Sequence, residues 1–369
     1  MSAAWNSVSS RRHCVFIVIF ILLLAAISAW FFWPRHSSTN PLLTTPQLAL
    51  SALDAKNLYF NEPARVWMLA LRPDLLTAED RDASSARSRA FAQAVQNPKF
   101  FRELDRRYRF DALLFVGDPS QSRPLLNHLN ETKDWTLRYV DSTSMVFQRG
   151  GREPWKMADL QPVRAHFQNA SAGDKALFLA QTAAKLLAAQ YAVEARALLD
   201  EGMRENARES QVWNGFAIYH MNRGEWREAL EEANRALDLD KDSPQTLATK
   251  TQLLYGMKQF DAAFALSQRL VEKFPADPGV LFYHAKIAHE AHAYKAEIAV
   301  LQTLIERANA VAQPAGGYYL YLGQACAAAS DARGALDSFM LALNDPDLPD
   351  DQRAFARENI ARIKKRTGL

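Results

Sequence analysis

The residues best spaced for chemistry are three histidines and a group of acids. His284, His289 and His292 fall close together, with Glu290 between the last two. His289 and His292 are expected as i,i+3 neighbours on one helix face, but His284 stands about 140° around from His289. That arrangement matches no zinc signature, and the expectation is histidine ends on a solvated surface, with no metal. Glu79, Asp80 and Asp82 could do acid–base work or capture a cation; a loop start explains them as well. Asp118 follows an apolar run, at the kind of strand end where α/β proteins bind ligands. Turn chemistry in Gly117-Asp118-Pro119 is the simpler account. There is no Gly-rich phosphate loop, G-x-S-x-G elbow or HExxH pair. Asn130-x-Thr132 and Asn169-x-Ser171 match glycan acceptors, a pattern with meaning only in a eukaryotic secretory chain. No catalytic residue, metal or cofactor is expected.

Composition agrees. The 369 residues are 49% hydrophobic and 23% charged, ordinary values for a globular chain, and the formal charge of +3 gives no footprint for nucleic acid. Two cysteines, Cys14 and Cys326, make no disulfide framework and read as small buried hydrophobes.

Residues 14–33 read CVFIVIFILLLAAISAWFFW, about the length a helix needs to cross a hydrocarbon core. Trp30, Phe31, Phe32 and Trp33 suit the headgroup layer. Arg11 and Arg12 precede the stretch, and after Arg35 there is no Lys or Arg until Lys56. The positive-inside bias therefore predicts a cytoplasmic segment 1–13, an anchor 14–33 and everything later outside the cytoplasmic membrane, the periplasm if the cell is bacterial. A cleaved signal peptide is the alternative: Ala26-x-Ser28 and Ile27-x-Ala29 are small-residue sites, though the apolar stretch is long for one. Residues 34–55, rich in Ser, Thr and Pro, read as a linker.

Self-comparison organises the C-terminal half. Ala195, Ala229 and Ala263 are spaced by 34 residues, as are Leu179, Trp213 and Leu247. Small residues let two antiparallel helices approach, and turns such as Asn222-Arg223-Gly224 and Tyr255-Gly256-Met257-Lys258 reverse the chain. No single pair hides its apolar faces, so neighbours must stack. With Trp213, Phe216, Ala217, Ala229 and Ala236, then Leu247, Ala263 and Pro275, then Leu322, Gly323, Ala335, Phe339 and Ala342, the period resembles the tetratricopeptide repeat (TPR) family. The resemblance implies a mainly α fold: a solenoid of about five helix pairs over 172–349, with 350–369 as a polar capping helix. The fourth pair departs from it, since Ala296 and Ala299 flank the expected alanine position and extra residues precede Gly317. The family's groove positions fall on Asn214, Ile218 and Met221, on Gln252 and Tyr255, on Phe282, Lys286 and His289, and on Leu320 and Gln324. They imply a protein or peptide partner. The paired lysines of a carboxylate clamp are missing beside Asn214.

Between 56 and 150 the period changes. The short runs 66–71 and 112–117 suit buried strands, 135–140 and 144–148 read as a hairpin around Asp141-Ser142-Thr143, and 85–108 and 122–129 have helical spacing. The order strand, helix, strand, helix, strand, strand predicts a small α/β domain with a mixed sheet. Asn61-Glu62-Pro63, Leu71-Arg72-Pro73, Asp80-Arg81-Asp82 and Trp135-x-Leu-x-Tyr-x-Asp with Phe147 and Arg149 resemble the soluble tail of polytopic glycosyltransferase-like membrane proteins, which implies an accessory tail. The expected function is a membrane-anchored scaffold that binds protein partners. An accessory subunit or enzyme of envelope glycan or sugar-lipid metabolism is the alternative, and self-association through the repeats a third possibility.

Overall fold

The computed structural model describes residues 46–368, apart from 52, 54, 84, 133, 151–154, 311–313 and 347. The expected anchor lies outside them; among the described residues no helix is long and apolar enough to cross a membrane. The chain divides into two compact units, 1–239 and 240–369.

The first unit opens, inside the stretch expected as linker, with a short helix α1 (Gln47–Ser51) that buries Ala49 and Leu50. A four-stranded sheet follows in the order β1-β2-β4-β3. Its strands are β1 (Leu58–Phe60), β2 (Ala112–Val116), β3 (Trp135–Val140) and β4 (Ser144–Arg149). β1 runs parallel to β2, and the other pairings are antiparallel, so the sheet is mixed as the pattern predicts. The hairpin β3–β4 turns at Asp141-Ser142-Thr143 as expected. The first strand is not where the apolar run pointed. Residues 66–71 belong to helix α2 (Glu62–Leu71), and β1 precedes it. A six-residue apolar run fits either a strand or a buried helix. Pro63 at the helix start and Glu62 in the first turn decide for helix.

Helix α3 (Ala78–Arg81) begins with a capping box between Thr77 and Asp80. The segment 85–108 is two helices, α4 (Ala86–Gln96) and α5 (Pro98–Tyr108), because Asn97 caps the second and Pro98 cannot continue the first. Helix α6 (Arg123–Glu131) completes the α/β part, and a short helix α7 (Gln161–Ala165) leads out of it. Two helix pairs finish the unit: α8 (Ala172–Ala188) with α9 (Ala192–Glu205), and α10 (Ser210–Asn222) with α11 (Trp226–Leu239). Helix α8 packs on β3 and α6 as well as on α9 and α10. It is buried nearly all round, and one hydrophobic core runs from Ala49 through the sheet to Phe216.

The second unit holds α12 (Pro244–Gly256) with α13 (Phe260–Lys273), α14 (Pro278–Glu290) with α15 (Tyr294–Ala310), and α16 (Gly316–Ala328) with α17 (Ala332–Leu343). Helix α18 (Asp350–Thr367) packs on α17, buries Ala356 and Ile363 and turns its charges outward, though Phe355 remains exposed. Ala195, Ala229, Ala263 and Ala335 are all fully buried, where the 34-residue period requires small side chains.

The turns within the pairs repeat too. Gln190, Gly224, Lys258 and His292 are 34 residues apart, and all four, with Ser330 in the last pair, have positive φ. The next N–H reaches back five residues each time, Tyr191 to Leu186 (2.8 Å), Glu225 to His220 (3.0 Å), Gln259 to Leu254 (2.8 Å), Ala293 to Ala288 (2.8 Å) and Asp331 to Cys326 (2.8 Å). This is the Schellman closure of a helix end.

Candidate functional site

Of the residues assigned to the groove, Asn214, Ile218 and Met221 lie on α10 in the first unit. Asn214 is only 5% exposed, and its Oδ1 has no hydrogen-bond partner among the described residues. Ile218 and Met221 are half-buried, Ile218 against the core. Near the end of the same helix His220 stands between two carboxylates. Its Nδ1 is 2.5 Å from Glu225 and its Nε2 3.4 Å from Glu232. Burial raises the pKa of Glu232, against the pull of His220.

The other residues assigned to the groove from the sequence lie in the second unit. Gln252 and Tyr255 on α12, Phe282 on α14 and Gln324 on α16 are half-buried, and Lys286 is exposed. Leu320, by contrast, is a core residue. The aromatic rings link the first helices of successive pairs. Tyr255 meets Tyr283 with centroids 6.3 Å apart, and Phe282 meets Tyr318 at 5.7 Å and Tyr321 at 4.8 Å. Sequence reasoning missed Tyr283, Tyr318 and Tyr321, although Tyr283 and Tyr321 directly follow Phe282 and Leu320 in the chain. Burial pushes the phenols of Tyr255 and Tyr318 up, and Glu290 adds to the effect at Tyr255. The surface is one of partly covered rings and amides.

The three histidines are not brought together. His284 is buried, not solvated; it meets the Ser267 hydroxyl at 2.7 Å and stacks on Phe264 at 5.0 Å. Desolvation holds its pKa below the usual histidine value. His292 lies beyond the end of α14, in the left-handed turn, with its Nδ1 2.7 Å from the Tyr294 hydroxyl. His289 alone faces a carboxylate, Glu297, whose two oxygens are 3.1 and 3.0 Å from Nδ1. Glu297 fills the position that holds alanine in the other pairs, is 2% exposed, and has its pKa raised by burial. Among the described residues no group of three His, Cys, Asp or Glu side chains could hold a metal ion. Cys326 is free and buried, its thiol pushed up by burial and by Asp331 and Glu297.

In the first unit the polar residues singled out in the sequence bind the fold together. Asn61 stands at the N-cap of α2 without a side-chain capping bond; its side chain instead donates to Val116 O (2.9 Å) and accepts from Val116 N (3.0 Å), extending the β1–β2 pairing by one step. Arg72 donates to the carbonyls of Leu50 and Leu53 at 2.7 and 2.9 Å. Asp80 is buried and paired with Arg87 at 2.8 Å. Arg149 lies over the Trp135 ring at 4.4 Å. Asp141 organises the β3–β4 turn, accepting from Thr143 N (2.7 Å), Ser144 N (2.8 Å) and the Tyr139 hydroxyl (2.7 Å). Lys185 of α8, fully buried, donates to Ser142 O at 2.6 Å. Desolvation pulls its pKa down to about 8, against the opposing pull of Asp141 and Asp118.

No known family's sequence profile matches the chain, and no curated protein does. Among solved structures the chain is similar to YrrB, described as a TPR protein with an unusual peptide-binding site, at 15% identity and a TM-score of 0.44, over 53% of this chain and 97% of that one. It is also similar to MamA 41-end from Desulfovibrio magneticus RS-1 (19% identity, TM-score 0.39, 47% of this chain and 96% of that one) and to MamA MSR-1 C2 (16%, 0.39, 48% and 98%).

Proposed function

We propose that this protein is a scaffold that holds a segment of a protein partner against the first helices α12, α14 and α16. A tether at 14–33 would keep it at a cytoplasmic membrane, with the repeats on the outer side. The observation that carries the binding assignment is the row of half-exposed rings, Tyr255 on Tyr283 and Phe282 on Tyr321, crossing three successive first helices. Rings on a rigid frame supply contact area at low entropic cost, and binding energy concentrates in few such anchors. Crosslinking and pull-down of the full chain test the assignment. The Tyr255→Ala/Phe282→Ala double variant should lose its partners while keeping its helical content, and unchanged capture would refute it. Cysteine labelling from either side of the membrane tests the tether. Val193 is 80% exposed, and a cysteine in its place should react only from outside.

A further inference from the structure

The fourth helix pair breaks the small-residue rule with a costly side chain. Desolvating a buried carboxylate can cost more than its partner returns, and alanine serves at the same position in the sister pairs. What Glu297 does is hold a groove histidine. Both its oxygens lie on Nδ1 of His289, while the His289 side chain remains 40% exposed and no described residue bonds its Nε2. An imidazolium donates from both nitrogens. His220, in the second pair, shows the filled version within the same protein, with Glu225 on one nitrogen and Glu232 on the other. At His289 the second carboxylate is lacking. Lys286, three residues earlier and so on the same helix face, is exposed and makes no ion pair among the described residues. Glu290, the nearest other acid on α14, acts on Tyr255.

We propose that the partner supplies that second carboxylate: an aspartate or glutamate side chain of an extended peptide segment accepts from Nε2 of His289 and pairs with Lys286. Glu297 is a positioning residue that fixes the ring. The proposal rests on the groove reading above and adds the partner's chemistry to it.

Selection from a library of random peptides displayed with fused C-termini, so that only side-chain carboxylates are offered, tests it on the immobilised full-length chain. Peptides retained by the wild type should be enriched in Asp or Glu, and the enrichment should vanish with His289→Gln and weaken with Lys286→Gln. For one selected peptide, His289→Gln should weaken binding about tenfold, and replacing its acid by the amide should then cost nothing more. Glu297→Ala, which restores the residue of the sister pairs, should keep or raise the melting temperature yet lose the acid preference; retention of the preference would remove the role given to Glu297. Peptides selected without acid enrichment, or with enrichment that survives His289→Gln, would overturn the carboxylate assignment and leave the groove standing. Selection that is indifferent to Tyr255→Ala/Phe282→Ala would overturn the groove, and this proposal with it.

Discussion

Lys185 carries its charge into a fully buried site, held by the Ser142 carbonyl and near Asp141 and Asp118. Its folded pKa, about 8, lies below the ordinary lysine value of 10.5 that an unfolded chain would show. Between those two values the unfolded chain binds the extra proton, so stability must rise with pH across that window and gain nothing below it. The full effect is on the order of 3 kcal/mol. Urea unfolding of the wild type and of Lys185→Met should therefore diverge in favour of the wild type as pH rises from 8 to 10. Parallel curves would mean that the ammonium suffers no penalty from burial. None of this was legible in the sequence, where Lys185 is one more charge on a helix; only the fold brings it under the β3–β4 turn. The sequence period singles out His289, but its carboxylate partner was hidden, because a period-based comparison expects alanine at 297 and registers only a mismatch.

Among the elements, the turns inside the helix pairs share one backbone shape with different residues. Only Gly224 announces the left-handed conformation; Gln190, Lys258, His292 and Ser330 adopt it because the Schellman hydrogen bonds impose it. Lys258→Gly should raise the unfolding free energy by about 0.5 kcal/mol, the relief of strain outweighing the entropy glycine adds to the unfolded chain, and Gly224→Ala should lower it by about 1 kcal/mol. Matched denaturation curves check both signs. Gly323 is special for a different reason: a Cβ there would come within 2.8 Å of the Phe339 ring on α17. Gly323→Ala should cost roughly 2 kcal/mol by overpacking, and Phe339→Leu in the same chain should recover part of it, read from the melting temperature. The repeat elements were legible because each pair must bury the same stripes at the same spacing. The first strand was not: residues 66–71 are apolar throughout and give no period, and the deciding signals, Pro63 and Glu62, lie outside the run.

Across the first unit, the sequence suggests an α/β domain followed by a separate solenoid, but one core joins the sheet to the first two helix pairs. Helix α8 has too little polar surface to face water, and β3 and α6 cover the side that a preceding repeat would otherwise cover. The α/β part thus caps the helix pairs of its own unit, as α18 caps those of the second. Deleting residues 1–150 should leave α8 bare, so the shortened chain should aggregate or lose cooperative unfolding, whereas a fragment of 240–369 should unfold as a single transition by circular dichroism. A shortened chain that stays monomeric with an unchanged transition would contradict the shared core.

That shared core also limits how such a gene can grow or shrink. Duplicating or losing a 34-residue module beyond position 240 leaves every remaining pair with a neighbour of the same kind. The same event between Ala172 and Phe216 would remove side chains that share one core with the sheet, so a change of length should be tolerated beyond 240 and should disrupt the first unit.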